Sequence, residues 1–370
     1  MKIVFFGLSI SSAWGNGHAT LLRGLFRALY SKGHELHFFE RDTPYYAAHR
    51  DVQSLPYVKL HLFSDWTQTR KKAEAILASA DVGIVTSYCA DGVAACELVL
   101  SSRLSRTLFY DMDTPVTLSR LERGERVEYL PLSGLAGFDL VLSYTGGAAL
   151  ERLKTRLDAT RTAALYGWVD PDIHHRVPAS AQFSADLSYL GTYAADRQQA
   201  LERMLVEPAR ALPSRTFVIA GAMYPNTDAW PPNIRHFAHV VPHGHSGFYS
   251  SSPLTLNATR GAMAAMGYCP SGRLFEAAAC GTAVLSDWWE GLDTFFTPDS
   301  EILIANTTAD AISQISRDRA LLEFIGARAR ERALDCHTAA IRADRLLSLI
   351  ESPRDERDEA EQVEAAFRGA

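Results

Sequence analysis

Short apolar runs alternate with stretches of helical spacing along almost the whole chain of 370 residues, in two successive series. The first series contains MKIVFFGLSI, HELHFFE, KLHLF, DVGIVTSY, RTLFYDMD and, near residues 138–145, FDLVLSYT. Between the first two runs, Leu21, Leu22, Leu25, Phe26 and Leu29 repeat at helical spacing, and Lys32 and Gly33 supply the stop. A polar helix is predicted near 67–79 and another from about Gly92. Strands separated by helices lie parallel, in a sheet covered on both faces. The second series begins near residue 186 and runs DLSYLGT, RTFVIAGA, IRHFAHV, PLTLNAT, TAVLSD and ILIAN, with helices from about Ala194 and near 271–280. The fold class is therefore α/β, with two Rossmann-like doubly wound domains.

Length agrees, because a single hydrophobic core stops growing beyond about 250–300 residues. The domains are predicted at 1–166 and 185–348, with the proline-bearing GWVDPDIHHRVPASAQFS as a linker at 167–184 and an acidic helix or tail at 349–370. Hydrophobic residues at 47% and charged residues at 22% exclude disorder, and a net charge of −6 offers no broad surface for nucleic acid. The five cysteines, Cys89, Cys96, Cys269, Cys280 and Cys336, are odd in number and scattered, which fits a reducing cytoplasm better than a disulfide framework. The opening apolar run is too short for a signal peptide or a membrane span, so no transmembrane segment is expected.

Open parallel sheets bind ligands beyond the carboxyl ends of their strands. Two such sheets facing each other across an interdomain cleft would hold two reactants and expel water on closing. In GLSISSAWGNGHAT, Gly15 and Gly17 allow close backbone approach, and His18 falls in the first turn of a helix whose amides attract anions. A tight turn with a helix-start histidine fits the same residues. Thr20 stands where a dinucleotide fingerprint needs its third glycine, and no acidic ribose-binding residue is evident, which counts against a dehydrogenase. Asp111 and Asp113 end RTLFYDMD. One of them can orient His18, letting neutral imidazole take a proton from a hydroxyl, while Asp113 also reads as the cap of a helix with Pro115 in an early position.

In the second series, Gly191 and Thr192 end a strand and Arg197 lies early in the next helix, an arrangement suited to a diphosphate. The most informative stretch is LNATRGAMAAMGYCPSGRLFEAAACGTAVLSDWWEGLDTF. Ser271, Arg273 and Glu276 sit on or just before a small-residue helix, and Glu290 and Gly291 make a later turn. A carboxylate such as Glu276 can accept from both hydroxyls of a ribose, and Arg260 and Arg273 can complement diphosphate charge.

These stretches together resemble the CgeB-like branch of the GT-B glycosyltransferases. The resemblance extends over nearly the whole chain to about residue 348 and rests on WGNGHAT, FYDMDTP, FDLVLSYTGG, YLGTYAADR, LNATR, SGRLFEAAACGTAVLSD and WEGL. It implies GT-B architecture and sugar transfer from a nucleotide-sugar donor to an unidentified acceptor. By position it implies Glu276 as the ribose carboxylate, Arg197, Arg260 and Arg273 at the diphosphate, and backbone groups near His239 and Val240 at the base. Further donor contacts are assigned to Gly15, Gly17, Gly191, Thr192, Gly221, Asn257, Tyr268, Ser271, Glu290 and Gly291. Related retaining enzymes carry a glutamate eight residues before the ribose glutamate, where this chain has Tyr268. Donor-sugar recognition and stereochemistry stay open on that account.

His18 with a later aspartate also resembles the His–Asp dyad of inverting plant-type glycosyltransferases, so His18, Asp111 and Asp113 form the catalytic set. No cofactor and no metal is expected. The DMD at 111–113 has the spacing of a metal motif but falls in the predicted acceptor domain, and helix amides with arginines would stabilise the leaving diphosphate. A nucleotide-sugar epimerase and a nonenzymatic nucleotide-sugar sensor are the alternatives.

Overall fold

The computed structural model describes residues 1–353. Its first sheet contains β1 (Lys2–Gly7), β2 (Glu35–Arg41), β3 (Lys59–Phe63), β4 (Val82–Thr86), β5 (Arg106–Asp111), β6 (Leu140–Ser143) and β7 (Thr162–Ala164). Their order is β3-β2-β1-β4-β5-β6-β7, and every pairing is parallel. The second sheet contains β8 (Leu187–Leu190), β9 (Phe217–Ala220), β10 (Ile234–Phe237), β11 (Leu254–Asn257), β12 (Ala283–Ser286) and β13 (Leu303–Ile304), ordered β10-β9-β8-β11-β12-β13 and again parallel.

The continuous apolar character of the central strands follows from burial on both faces. In β1, Phe5 meets Phe26 of the helix Gly17–Ser31 at 4.7 Å between ring centroids, while its neighbour Phe6 stacks on Phe39 at 4.9 Å. Successive side chains thus serve opposite faces. The helix ends as expected, with Gly33 at a φ of 84° that a side chain would disfavour. In the second sheet Leu187, Phe217, Ile219, Leu254, Leu256 and Leu285 make the equivalent core. β7 was not expected, because Thr-Ala-Ala is too short to show a periodicity.

Contacts divide the chain at Tyr166, with Gly167–Thr338 forming the second unit. Two expected boundaries are corrected. The segment 167–184 is no linker, because serine hydroxyls fix it inside the second unit. Ser246 donates to the Ile173 carbonyl at 2.8 Å, and the amides of His175, Val177 and Ser180 donate to Ser246, Ser250 and Ser251 at 3.2, 3.2 and 2.8 Å. The helix Ala339–Glu351 belongs with the first unit rather than with a domain ending at 348. Arg106 donates to the Ile350 carbonyl at 3.0 Å, Arg342 to the Tyr166 carbonyl at 3.2 Å, and Lys32 pairs with Asp344 at 2.7 Å. The acidic tail expected over 349–370 lies outside the described residues from 354 onward. Among the described residues no helix is long and apolar enough to cross a membrane.

Candidate functional site

In the first unit the strand order reverses between β1 and β4, the place where an open parallel sheet offers a crevice. The loop leaving β1 is fixed by Glu40, a wholly buried residue near the end of β2. Its carboxylate accepts from the Ser9 hydroxyl at 2.8 Å, the Ile10 and Ser11 amides at 2.7 and 3.0 Å, and the Ser11 hydroxyl at 2.5 Å. An acidic residue therefore does stand where a dinucleotide fold would place its ribose ligand. Both of its oxygens are occupied by the loop, so the case against a dehydrogenase holds on different grounds. Gly15, at a φ of 60°, turns the chain into the helix that begins at Gly17.

His18 occupies the first turn of that helix, and its ring centroid lies 5.7 Å from that of Tyr88, which follows β4. Tyr88 donates to Asp113 Oδ2 at 2.9 Å and holds a φ of 61°, a left-handed conformation uncommon for a large side chain. Burial lowers the His18 pKa below its ordinary value, against the opposing charge of Asp113, so the imidazole is neutral at neutral pH. Asp113 occupies the N-cap position of the helix Thr114–Glu122, yet its side chain makes no capping bond. The capping expectation is corrected, because the carboxylate instead takes the Tyr88 hydroxyl.

Asp111 is wholly buried, and burial pushes its pKa up to about 6, against hydrogen bonding from Thr117. Its Oδ1 accepts the Asp113 amide at 3.0 Å. The acid that acts electrostatically on His18 is Asp113, while Asp111 sits behind it and fixes its backbone.

In the second unit the reversal falls between β8 and β11. Here Asn257, at the end of β11 and wholly buried, is a hub. Its Oδ1 accepts from the Ser271 hydroxyl at 2.7 Å and from Arg273 Nη1 at 3.0 Å, and its amide nitrogen donates to Ser286 at 3.0 Å and Thr259 at 3.3 Å. Asn257 is therefore a positioning residue, its amide being engaged within the protein. Ser271 turns its hydroxyl to Asn257 instead of capping the helix Gly272–Ala279, whose first turn is left without a side-chain cap. Arg273 also donates from Nε to the Leu190 carbonyl at 2.6 Å, and its guanidinium lies over the Tyr189 ring at 5.0 Å.

Arg273 explains Gly191, where a Cβ would lie 2.7 Å from Arg273 Nη2. Gly221 is needed for a similar reason, since a Cβ there would sit 2.0 Å from the Gly191 carbonyl oxygen. Arg197, on the helix Ala195–Leu201, donates to the Thr192 carbonyl and lies 5.9 Å from the Tyr189 ring centroid. Arg260 pairs with Asp196 at 3.1 Å. Tyr268, Glu290 and Gly291 form one turn: the Tyr268 amide donates to the Glu290 carbonyl at 2.7 Å, and the Tyr268 ring covers Gly291 so closely that a Cβ would fall 2.4 Å from it. His239 is exposed and Val240 buried, and the Val240 carbonyl accepts from His245 Nε2 at 3.2 Å. Gly15 and Gly17 belong to the first unit with His18, apart from the other residues assigned to the donor.

Glu276 projects from the same helix as Arg273. Its Oε2 accepts from the Tyr249 hydroxyl at 3.3 Å, and its Oε1 lies 4.0 Å from His174 Nε2. Burial would raise its pKa, but the electrostatic interactions with the neighbouring His174, His245 and Arg273 side chains and the hydrogen bond from Tyr249 outweigh that effect and hold the carboxyl below its ordinary range. His174, His245 and Tyr249 were not anticipated. His174 lies in the supposed linker, and HGHSGFYSSS carries no metal-type spacing or helical periodicity that would single out His245 and Tyr249. Tyr88 was missed in the same way.

A family described as glycosyl transferase-like matches residues 197–348, which span most of the second unit. No curated protein matches the chain in sequence. Among solved structures, the sucrose-phosphate synthase of Thermosynechococcus elongatus is similar with a TM-score of 0.68 at 16% identity, covering 99% of this chain and 100% of that one. Anabaena HepE in complex with UDP and glucose gives a TM-score of 0.65 at 12% identity over 95% of this chain and 100% of that one. An alpha-glucosyltransferase in complex with UDP-glucose and DNA containing an abasic site gives 0.65 at 14% identity, with the same coverage. The two parallel-sheet α/β units thus have the GT-B fold.

Proposed function

We propose that the chain is a glycosyltransferase that moves a sugar from a nucleotide-linked donor to an acceptor hydroxyl, with the donor held by the second unit. The observation that carries this reading is the arrangement at the ends of β8 and β11. There Asn257 fixes Arg273 and Ser271, and Glu276 follows one helical turn later, all within the stretch that matches the glycosyl transferase-like family. A charged carboxylate at Glu276 suits paired ribose hydroxyls. The guanidinium groups of Arg273 and Arg197, with the uncapped first turn of the helix Gly272–Ala279, suit a departing diphosphate. Similar structures that hold UDP, UDP-glucose or glucose make a UDP-sugar the first donor to test.

The CgeB-like resemblance and a cytoplasmic location are part of the same proposal. The comparisons favour neither an epimerase nor a sensor. Chemically, the acceptor oxygen attacks the anomeric carbon, the bond from that carbon to the diphosphate oxygen breaks, and the hydroxyl proton passes to the neutral imidazole of His18. The nucleoside diphosphate leaves with the bonding pair.

Calorimetry with a panel of nucleotide sugars, followed by product analysis against a panel of acceptors, tests the proposal. Saturable binding of one donor and release of its nucleoside diphosphate are expected. Failure of every nucleotide sugar to bind contradicts it. Because arginines and helix amides meet the developing charge, exhaustive chelation with EDTA is expected to leave turnover undiminished. Loss of turnover that magnesium or manganese restores would overturn the metal-independent route.

A further inference from the structure

We infer that His174, His245 and Glu276 form a binding site for a divalent first-row metal ion, with Zn²⁺ as the probe, and that the ion excludes the donor nucleotide. The exclusion rests on the reading of Glu276 as the ribose carboxylate. The ion would need the same carboxylate.

Three separate elements converge on the site: the turn after Asp170, the helix His245–Ser250 and the helix Gly272–Ala279. One ligand atom from each of the three residues lies within 4.8 Å of the others. Ligands about 2.0–2.1 Å from a tetrahedral ion sit about 3.4 Å apart, so side-chain rotation of about an ångström and a half closes the set. Two imidazoles and one carboxylate with an open fourth position is a donor set that Zn²⁺ accepts.

The histidines supply an independent observation. His174 is 1% exposed, and neither of its ring nitrogens has a hydrogen-bond partner among the described residues. A buried polar atom left so is costly, because it has given up its hydrogen bonds to water without replacing them. His245 is more specific. Its Nε2 faces the Val240 carbonyl at 3.2 Å, and a carbonyl can only accept, so the proton is on Nε2 and Nδ1 carries the lone pair. That Nδ1 is buried and has no hydrogen-bond partner among the described residues. An imidazole that donates one N–H to a carbonyl and presents the other nitrogen inward is the orientation of metal-ligating histidine. Serine hydroxyls fix the approach of the two segments, with Ser246 bonded to both the Ile173 carbonyl and the His175 amide.

Zn²⁺ titration of the full chain by calorimetry, paired with the electronic spectrum of the Co²⁺ form, tests the site. One equivalent of Zn²⁺ is expected to bind, and Co²⁺ should show a spectrum of nitrogen and oxygen ligands without a thiolate charge-transfer band. His245→Ala should weaken Zn²⁺ at least about tenfold to a hundredfold, the range set by losing even an outer partner of a metal ligand. His174→Ala should do the same; should that variant fail to fold, partly exposed His245 still carries the test. UDP should raise the apparent Zn²⁺ dissociation constant in step with its concentration.

Absence of binding, a thiolate band, or affinity unchanged in folded His245→Ala overturns the site. Zn²⁺ and UDP binding independently overturns the exclusion. UDP binding that Glu276→Gln weakens, with no Zn²⁺ bound by the parent chain, sinks the metal site and leaves the donor reading standing. Zn²⁺ held through His245 by a chain that binds no nucleotide sugar of the panel supports the site and sinks the donor reading.

Discussion

The first unit is ordered β3-β2-β1-β4-β5-β6-β7, and the second repeats its first six places as β10-β9-β8-β11-β12-β13. At the reversal in the first unit stand a neutral histidine, a tyrosine and two aspartates; at the reversal in the second stand two arginines and a glutamate ringed by tyrosine and histidine. Each crevice is set by one wholly buried polar side chain, Glu40 in the first and Asn257 in the second. Glu40 holds a loop through four hydrogen bonds, whereas Asn257 holds Arg273 directly. The comparison teaches that topology decides where a ligand can lie, while the strand-end residues decide which groups it meets there: a neutral imidazole and carboxyls in the first unit, guanidinium groups and a carboxylate in the second.

Removing the base should give the largest separation between the units. His18→Ala is expected to lower the single-turnover rate by about a hundredfold to ten-thousandfold, as for loss of a general base. An undiminished rate would remove proton transfer from the first unit.

Asp111 gives the next effect, in stability. Its folded-state pKa, about 6, lies above the ordinary carboxylate value of 3.8. The folded state therefore holds the proton more tightly than the unfolded state does. The stabilising contribution is full below pH about 4 and is lost as pH rises through about 6. At pH 7 ionised Asp111 should destabilise the fold by on the order of 3 kcal/mol. Asp111→Asn is thus expected to exceed the parent chain in denaturant midpoint at pH 7, with the difference vanishing by pH 4; an equal difference at both pH values would contradict the burial argument.

Glu40→Gln sharpens the comparison of the two locks. Loss of charge-assisted bonds should cost about 1.5–3 kcal/mol in urea unfolding and leave nucleotide affinity unchanged. Weaker nucleotide binding with unaltered stability would mean that Glu40 contacts the ligand.

The order of elements was legible because buried parallel strands read as continuous apolar runs, and Leu21 to Leu29 showed the helical period. Ser271, Arg273 and Glu276 stood out because one small-residue helix carries them. The rest depended on contacts between residues far apart in sequence. Nothing local in GWVDPDIHHRVP shows that His174 reaches Glu276, since serines near residue 250 hold that segment in place. Asp113 looked like a helix cap because its position was right; only the approach of Tyr88 from another strand end gave its carboxylate a different partner.

The central claim is a division of labour, with the donor on the second unit and proton transfer on the first. It is tested most directly by measuring donor dissociation constants and single-turnover rates at saturating donor for His18→Ala and Glu276→Gln side by side. Glu276→Gln should weaken the donor by about 1.5–3 kcal/mol, roughly tenfold to a hundredfold, through loss of a charge-assisted ribose contact. His18→Ala should slow the saturated rate and leave the dissociation constant unchanged. Two folded variants that alter the same parameter, or a Glu276→Gln chain with unchanged donor affinity, would contradict the account.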